Sequence, residues 1–198
     1  MVVGFIILIG LVVYLIISIV VIYLGIRYAR KKNIPGWKGG VLTAVVMFLL
    51  MFWDFIPFHI AHKYYCATEG GFTLNKTLEE WKVENPGVAE TLTHKRLSDY
   101  TKKGNKERYI LNQRFVWEII RSRKFLGMVK SDNRVIDTGT GEMLAQYVDF
   151  SSGQSSLEPE EFRDYKIWIF KNSCEPDGQK IARGQFNDYK YSIKRIGR

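Results

Sequence analysis

Charge is what the first part of this chain lacks. From Met1 to Ile26 no side chain carries one, and residues 1–62 hold a single acid, Asp54, beside five bases, Arg27, Arg30, Lys31, Lys32 and Lys38. Cysteine is nearly absent: Cys66 and Cys174 are the only two in 198 residues, which excludes a disulfide-dense mini-scaffold. Also missing are a G-x-S-x-G elbow, a P-loop, a Rossmann fingerprint and an H-E-x-x-H pair. Whole-chain averages conceal this asymmetry. With 46% apolar residues, 25% charged residues and a mean hydropathy of -0.11, the composition resembles that of an average soluble protein. An uncharged start beside a remainder with 24 bases and 19 acids excludes a wholly soluble globule and a disordered tail protein.

The uncharged run is long enough to matter. A helix of about 25 residues at roughly 1.5 Å each is nearly 40 Å long, against a hydrocarbon core of about 30 Å. No Lys or Arg precedes it and it exceeds a signal-peptide core, so the expectation is a retained transmembrane helix over about 2–26. A second apolar run, Val41 to Ala61, is interrupted by Asp54, Pro57 and His59. Trp37 and Trp53 are spaced by about 24 Å of helix, which suits two interfacial belts. That places Asp54 at a headgroup boundary and Pro57 at the membrane exit. The alternative puts Asp54 inside the hydrocarbon, where an ionisable group is costly and usually functional.

The connection between the runs carries all five bases and no acid. Short basic loops stay cytoplasmic, so the N-terminus and everything after the second helix are expected outside, in the periplasm of a two-membrane bacterium. Gly39, Gly40 and Pro35 are expected to make the loop a tight turn. The two cysteines agree with this compartment: a pair in an oxidising space readily forms a disulfide. The alternative is two unrelated buried thiols.

The expected organisation is a transmembrane hairpin over 1–62 and an extracytoplasmic α+β domain over 63–198, helices first and an antiparallel sheet after. Thr77-Leu-Glu-Glu80 is a capping box that starts a helix running to about Glu84. A second helical stretch is expected over 88–100. Strands are expected over 115–119, 126–129, 134–138, 143–150, 165–170 and 189–193, with 139–141 as a hairpin turn and a short helix from Glu158.

Among possible sites, Asp137-Thr138-Gly139-Thr140 resembles the active-site loop of aspartic proteases. That chemistry needs two carboxylates sharing a proton, hence dimerisation here, and no later apolar-apolar-Gly segment supports the loop. A plain turn suits the same residues. His59 and His62 are i,i+3 on a helix and could share a metal, but no completing carboxylate or cysteine is evident; His94 stands alone. No metal or other cofactor is therefore expected. Asn75-Lys76-Thr77 matches the glycosylation triplet of eukaryotic hosts. Bases and acids are interspersed after residue 62, so nucleic acid is not an expected partner. Anionic headgroups or an acidic protein suit the surplus of bases better.

Phe52-Trp-Asp-Phe-Ile-Pro57, Tyr64-Tyr-Cys66, Glu69-Gly-Gly71 and Lys76-Thr-Leu-Glu-Glu-Trp-Lys82 together resemble a stretch in small, uncharacterised inner-membrane proteins of Gram-negative bacteria. The resemblance covers about thirty residues; it implies a location and carries no catalytic residues. The expected role is accessory: a membrane-anchored domain presented to a membrane or periplasmic protein partner, as a complex subunit or an inhibitor. The alternatives are a homo-oligomeric transport or ion pathway using Asp54 and, behind it, a periplasmic hydrolase using Asp137.

Overall fold

An apolar run without proline winds into one 30-residue helix, α1 (Val2–Lys31). It continues through Arg27–Lys31, beyond the expected end, because nothing breaks it before Asn33, which turns into the left-handed region at φ 59°. Pro35 then precedes α2 (Gly36–Phe52). Trp53 and Asp54 interrupt the run, and α3 (Phe55–Thr68) follows. Pro57 falls in the first turn of α3, where a missing N–H is harmless, so the helix accommodates it. The computed structural model describes residues 2–93, 100–153, 166–171, 173–174 and 178–196. These fall into two compact units, the first drawn from Met1–Pro57 and Ser156–Trp168, the second from Phe58–Ser155 and Ile169–Arg198.

In the first unit, α1 and α2 pack closely because small residues face each other. A Cβ on Gly25 would collide with Thr43 Oγ1, and one on Gly39 would lie 2.6 Å from both the Ala29 Cβ and the Gly25 carbonyl oxygen. Gly39 and Gly40 therefore serve helix contact rather than the expected loop. Gly25-x-x-x-Ala29, Gly36-x-x-x-Gly40 and Gly39-x-x-x-Thr43 are the small-residue spacings that let helix backbones approach. The Tyr14 hydroxyl donates to the Met47 carbonyl. Away from this seam, Phe5, Leu8, Ile16, Ile19 and Leu24 are exposed, so α1 is apolar all round. It is long and apolar enough to cross a membrane; α2 reaches that length only if α2 and α3 count as one broken span. Gly39→Leu should lower hairpin stability by roughly 1–3 kcal/mol through overpacking. Thermal unfolding in detergent checks this, with Gly10→Leu, whose Cβ meets nothing within 4 Å, as the neutral control.

The second unit is α+β. Six antiparallel strands run in the order β1-β6-β5-β4-β3-β2: β1 (Gly71–Leu74), β2 (Tyr100–Lys103), β3 (Lys106–Ile110), β4 (Phe115–Arg123), β5 (Val129–Asp137) and β6 (Met143–Ser151). Registers Phe115↔Asp137, Trp117↔Val135, Val135↔Ala145 and Phe72↔Tyr147 put these residues on one face. Two further helices complete the core: α4 (Leu78–Glu84), with the capping box at Thr77 formed as expected, and α5 (Gly178–Lys194). Trp81 of α4 meets Phe115 edge-on at 4.8 Å, while Ala182, Phe186 and Ile193 of α5 join the same buried cluster.

Several expectations fail for identifiable reasons. The described residues of the stretch 88–100 form no α-helix. A 3-10 turn covers Ala89–Thr91, residues 94–99 with His94 lie outside the described residues, and Tyr100 opens β2. Lys103 and Lys106 pair across a two-residue loop in which Gly104 takes φ +59°, a geometry that favours glycine at the first loop position. Leu126 belongs to a 3-10 turn, Phe125–Gly127, at φ 52°, so β5 starts at Val129. Ile167–Ile169 is also a 3-10 turn rather than part of a strand. The alternation Tyr189, Tyr191, Ile193 proves to be part of α5, where Ala182, Phe186 and Ile193 recur at helical spacing. The helix expected from Glu158 lies outside the described residues.

Candidate functional site: the His62, Cys66 and Cys174 cluster

His62 and Cys66 stand four residues apart on α3, hence on one helix face. The helix turns that face inward: Phe58 and His62 are both buried, and the Tyr65 ring stacks on Phe150 of β6 at 5.4 Å. His62 is 7% exposed, and its Nε2 lies 3.2 Å from the Phe150 carbonyl oxygen. A carbonyl only accepts, so Nε2 is the protonated nitrogen and Nδ1 keeps its lone pair. Burial holds the His62 pKa below the usual histidine range, against the pull of the Phe150 carbonyl.

Cys174 arrives from the other end of the chain. Its N–H donates to Asp149 Oδ1 at 2.8 Å, and Arg183 Nη2 donates to Asp149 Oδ2 at 2.7 Å. One carboxylate thereby fixes the returning segment to β6. Cys66 and Cys174 come to disulfide distance, with Cα atoms 5.5 Å apart. Cys66 Sγ lies 3.7 Å from His62 Nδ1 and 3.8 Å from its Nε2, so the sulfur faces the imidazole ring rather than one nitrogen, and the N and S atoms of His62, Cys66 and Cys174 all lie within 4.8 Å of one another. His59 is outside this cluster; it is half-buried with its ring edge-on to Phe58 at 5.7 Å. The histidine beside the disulfide sulfurs is His62, and the sequence signal was the i,i+4 spacing to Cys66.

Asp54 lies elsewhere, in the break after α2. It is 4% exposed, with Oδ2 accepting from Lys166 Nζ at 2.6 Å and Oδ1 from Trp168 Nε1 at 3.0 Å. The Trp168 ring also meets Phe52 edge-on at 4.8 Å. Asp54 is thus a paired, buried anchor inside the first unit rather than a carboxylate surrounded by water. Its partners lie more than a hundred residues away, beyond the reach of local pattern.

Asp137 is wholly buried at the mouth of the β5–β6 turn. Trp81 Nε1 donates to its Oδ2 at 2.8 Å, while Arg114 Nε and the Gly139 N–H, at 2.7 Å, donate to Oδ1. Arg114 also stacks over the Trp81 ring, and a Cβ on Gly139 would run into its guanidinium. Three donors hold both oxygens of Asp137, and its place is the centre of a turn.

One buried cation has a different surrounding. Lys190 Nζ sits 4.0 Å from the Trp117 ring centroid and donates to Asn187 Oδ1 at 2.9 Å. Burial, reinforced by Lys194, pushes its amine down. Aromatic faces are an adequate partner for such a group. Comparison with protein-family models, with curated proteins and with solved structures finds no match to this chain.

Proposed function

We propose that the protein is a membrane-anchored accessory protein whose α+β domain is presented in the periplasm to a protein partner. The anchor comprises α1 and the second apolar run through α2, both crossing the inner membrane, with the basic connection on the cytoplasmic side. The observation that carries this reading is the α1–α2 hairpin: its exposed surface is apolar on all sides and its seam is built from Gly25, Ala29, Gly39 and Thr43. Such a surface is at home in hydrocarbon, and small-residue seams are how helices associate there. Arg27, Arg30, Lys31, Lys32 and Lys38 supply the cytoplasmic bias. The closely placed cysteines suit an oxidising compartment.

The interaction role is favoured over chemistry by the state of the carboxylates already described. Asp137 is enclosed by three donors, and an ion pathway through Asp54 would have to break its bonds to Lys166 and Trp168. The partner belongs to the envelope: a subunit of a complex, or an invading or toxic protein that this domain neutralises.

Alkaline phosphatase fused after Arg198 should be active, and a fluorescent protein unable to fold in the periplasm should be dark at the same position. The reverse pattern overturns the topology. Cross-linking in native membranes should then give one discrete band with a second protein; a ladder of multiples of this chain supports the homo-oligomeric pathway instead.

A further inference from the structure

We propose that the β2–β3 end of the sheet is the surface that receives the partner protein, and that it receives a cluster of Asp and Glu side chains there. This rests on the accessory reading above and names the chemistry of the partner. The surplus of bases after residue 62 is local. Residues 100–124 carry eight bases and two acids of the 24 and 19 found after residue 62, so the remainder is close to neutral. Opposite charge across an interface steers encounter and fixes register. A surface that holds the whole surplus is therefore complementary to an acidic one.

The fold turns that charge outward. Both acids of the segment are buried, and each is shared by two bases. Glu107 accepts from Arg121 Nη1 and lies 3.9 Å from Lys102 Nζ; Glu118 lies 2.7 Å from Lys106 Nζ and 3.7 Å from Arg108 Nε. Each group keeps one positive charge in excess, and all four bases are exposed while the acids are not. The carboxylate beneath also holds the bases in place, which reduces the ordering an arriving acid has to impose. Beside Glu107 stands a row of rings. Registers Tyr100↔Tyr109↔Trp117 and Lys102↔Glu107↔Ile119 put the aromatic row and the charged row on one face. Tyr109 stacks on Trp117 at 4.7 Å, and Tyr100 meets Tyr109 at 4.8 Å. Lys190 of α5 closes the Trp117 end, whereas Tyr100 is 44% exposed on the edge strand β2. Exposed tyrosine beside arginine is the composition that anchors protein interfaces. An anionic headgroup layer offers the charge but no fixed contour for such a row, which favours a folded acidic surface.

The full-length protein in native membranes tests this, with the photo-crosslinking residue p-benzoylphenylalanine in place of Tyr100 or, as a control, of the exposed Ile181 on α5. Irradiation should join the Tyr100 position to one other protein and leave the Ile181 position unjoined. The triple variant Lys102→Gln, Glu107→Gln, Arg121→Gln removes the charged group without leaving a buried ion unpaired. At equal abundance of the chain it should lower the yield of the adduct at least about tenfold. Lys180→Gln, exposed on α5, changes the net charge by the same amount and should leave the yield as in wild type. Mass spectrometry of the adduct should place the joined peptide beside clustered acids. Changing those acids to lysine should abolish the adduct with wild type and restore it with Lys102→Glu, Glu107→Gln, Arg121→Glu. An adduct that survives the triple variant overturns the proposal, as does a phospholipid or a second copy of this chain joined at Tyr100. An adduct at Ile181 alone, or none at Tyr100 while ordinary cross-linking still gives its discrete band, overturns this surface and leaves the accessory role standing. Loss of that band as well overturns both.

Discussion

Replacing Cys66 or Cys174 by serine lowers the stability of the second unit by about 4–5 kcal/mol, because the pair, separated by 108 positions, removes a long loop's closure entropy from the unfolded chain. That is a large part of the roughly 5–15 kcal/mol that holds a typical domain together. Each single variant should yield much less folded protein, and the double variant should be little worse than either, since one bond is lost in every case. Without reductant, wild type should run faster on a denaturing gel than its reduced form. Maleimide labelling of both thiols in unfolded, unreduced protein would show that no bond forms, and would leave the compartment resting on loop charge alone.

Arg114→Ala is the second severe change. It strips the strongest donor from a carboxylate with no exposure to water, and breaking a buried pair on one side costs about 3–5 kcal/mol. Asp137→Asn is milder, since an amide oxygen in the place of Oδ1 still accepts from Arg114 and the Gly139 N–H. Burial pushes the Asp137 pKa up, but Arg114, Trp81 and the Gly139 N–H together outweigh it and hold the carboxyl below its ordinary value. A depressed folded pKa gives stability that is complete above the unfolded value, near ~3.9, and is lost as pH falls through the folded one. Urea midpoints of wild type and Asp137→Asn should therefore differ most at neutral pH and converge in acid. A peptide-cleaving activity lost in Asp137→Asn with the fold intact would give this residue a catalytic role instead.

The legible parts of the fold were those governed by neighbours in sequence. The capping box at Thr77, the β5–β6 hairpin and the apolar character of α1 all depend on residues a few positions apart. The hairpin of β2 and β3 hides behind Lys102, Lys103 and Lys106, whose charges mask the alternation that pairing needs. Helix α5 reads as a strand because Tyr189, Tyr191 and Ile193 alternate locally, and only the longer repeat through Ala182 and Phe186 separates the two periods. The cysteines were readable as a pair, whereas His62 acquired its place beside them from the fold. The partners of Asp54 and Asp137 lie on distant segments: Lys166 and Trp168 for the first, Trp81 and Arg114 for the second. Local pattern cannot supply such contacts.

Strand order bears on how the domain is made. Gly71 pairs with Val148, so β1 has no sheet neighbour until β6 exists, and the face carrying Phe115 and Tyr147, which α4 covers only around Phe115, is not closed until α5 brings Phe186 and Ile193 to it. A nascent chain emerging N-terminus first thus holds β1 unpaired while β2 to β6 close as consecutive hairpins, and the one long-range pairing, β1 with β6, comes last. An interrupted chain ending before Ile193 would present bare aromatic surface to chaperones and proteases. Helix α5 thereby doubles as a quality check: the domain becomes protease-resistant only once α5 has been made and has docked.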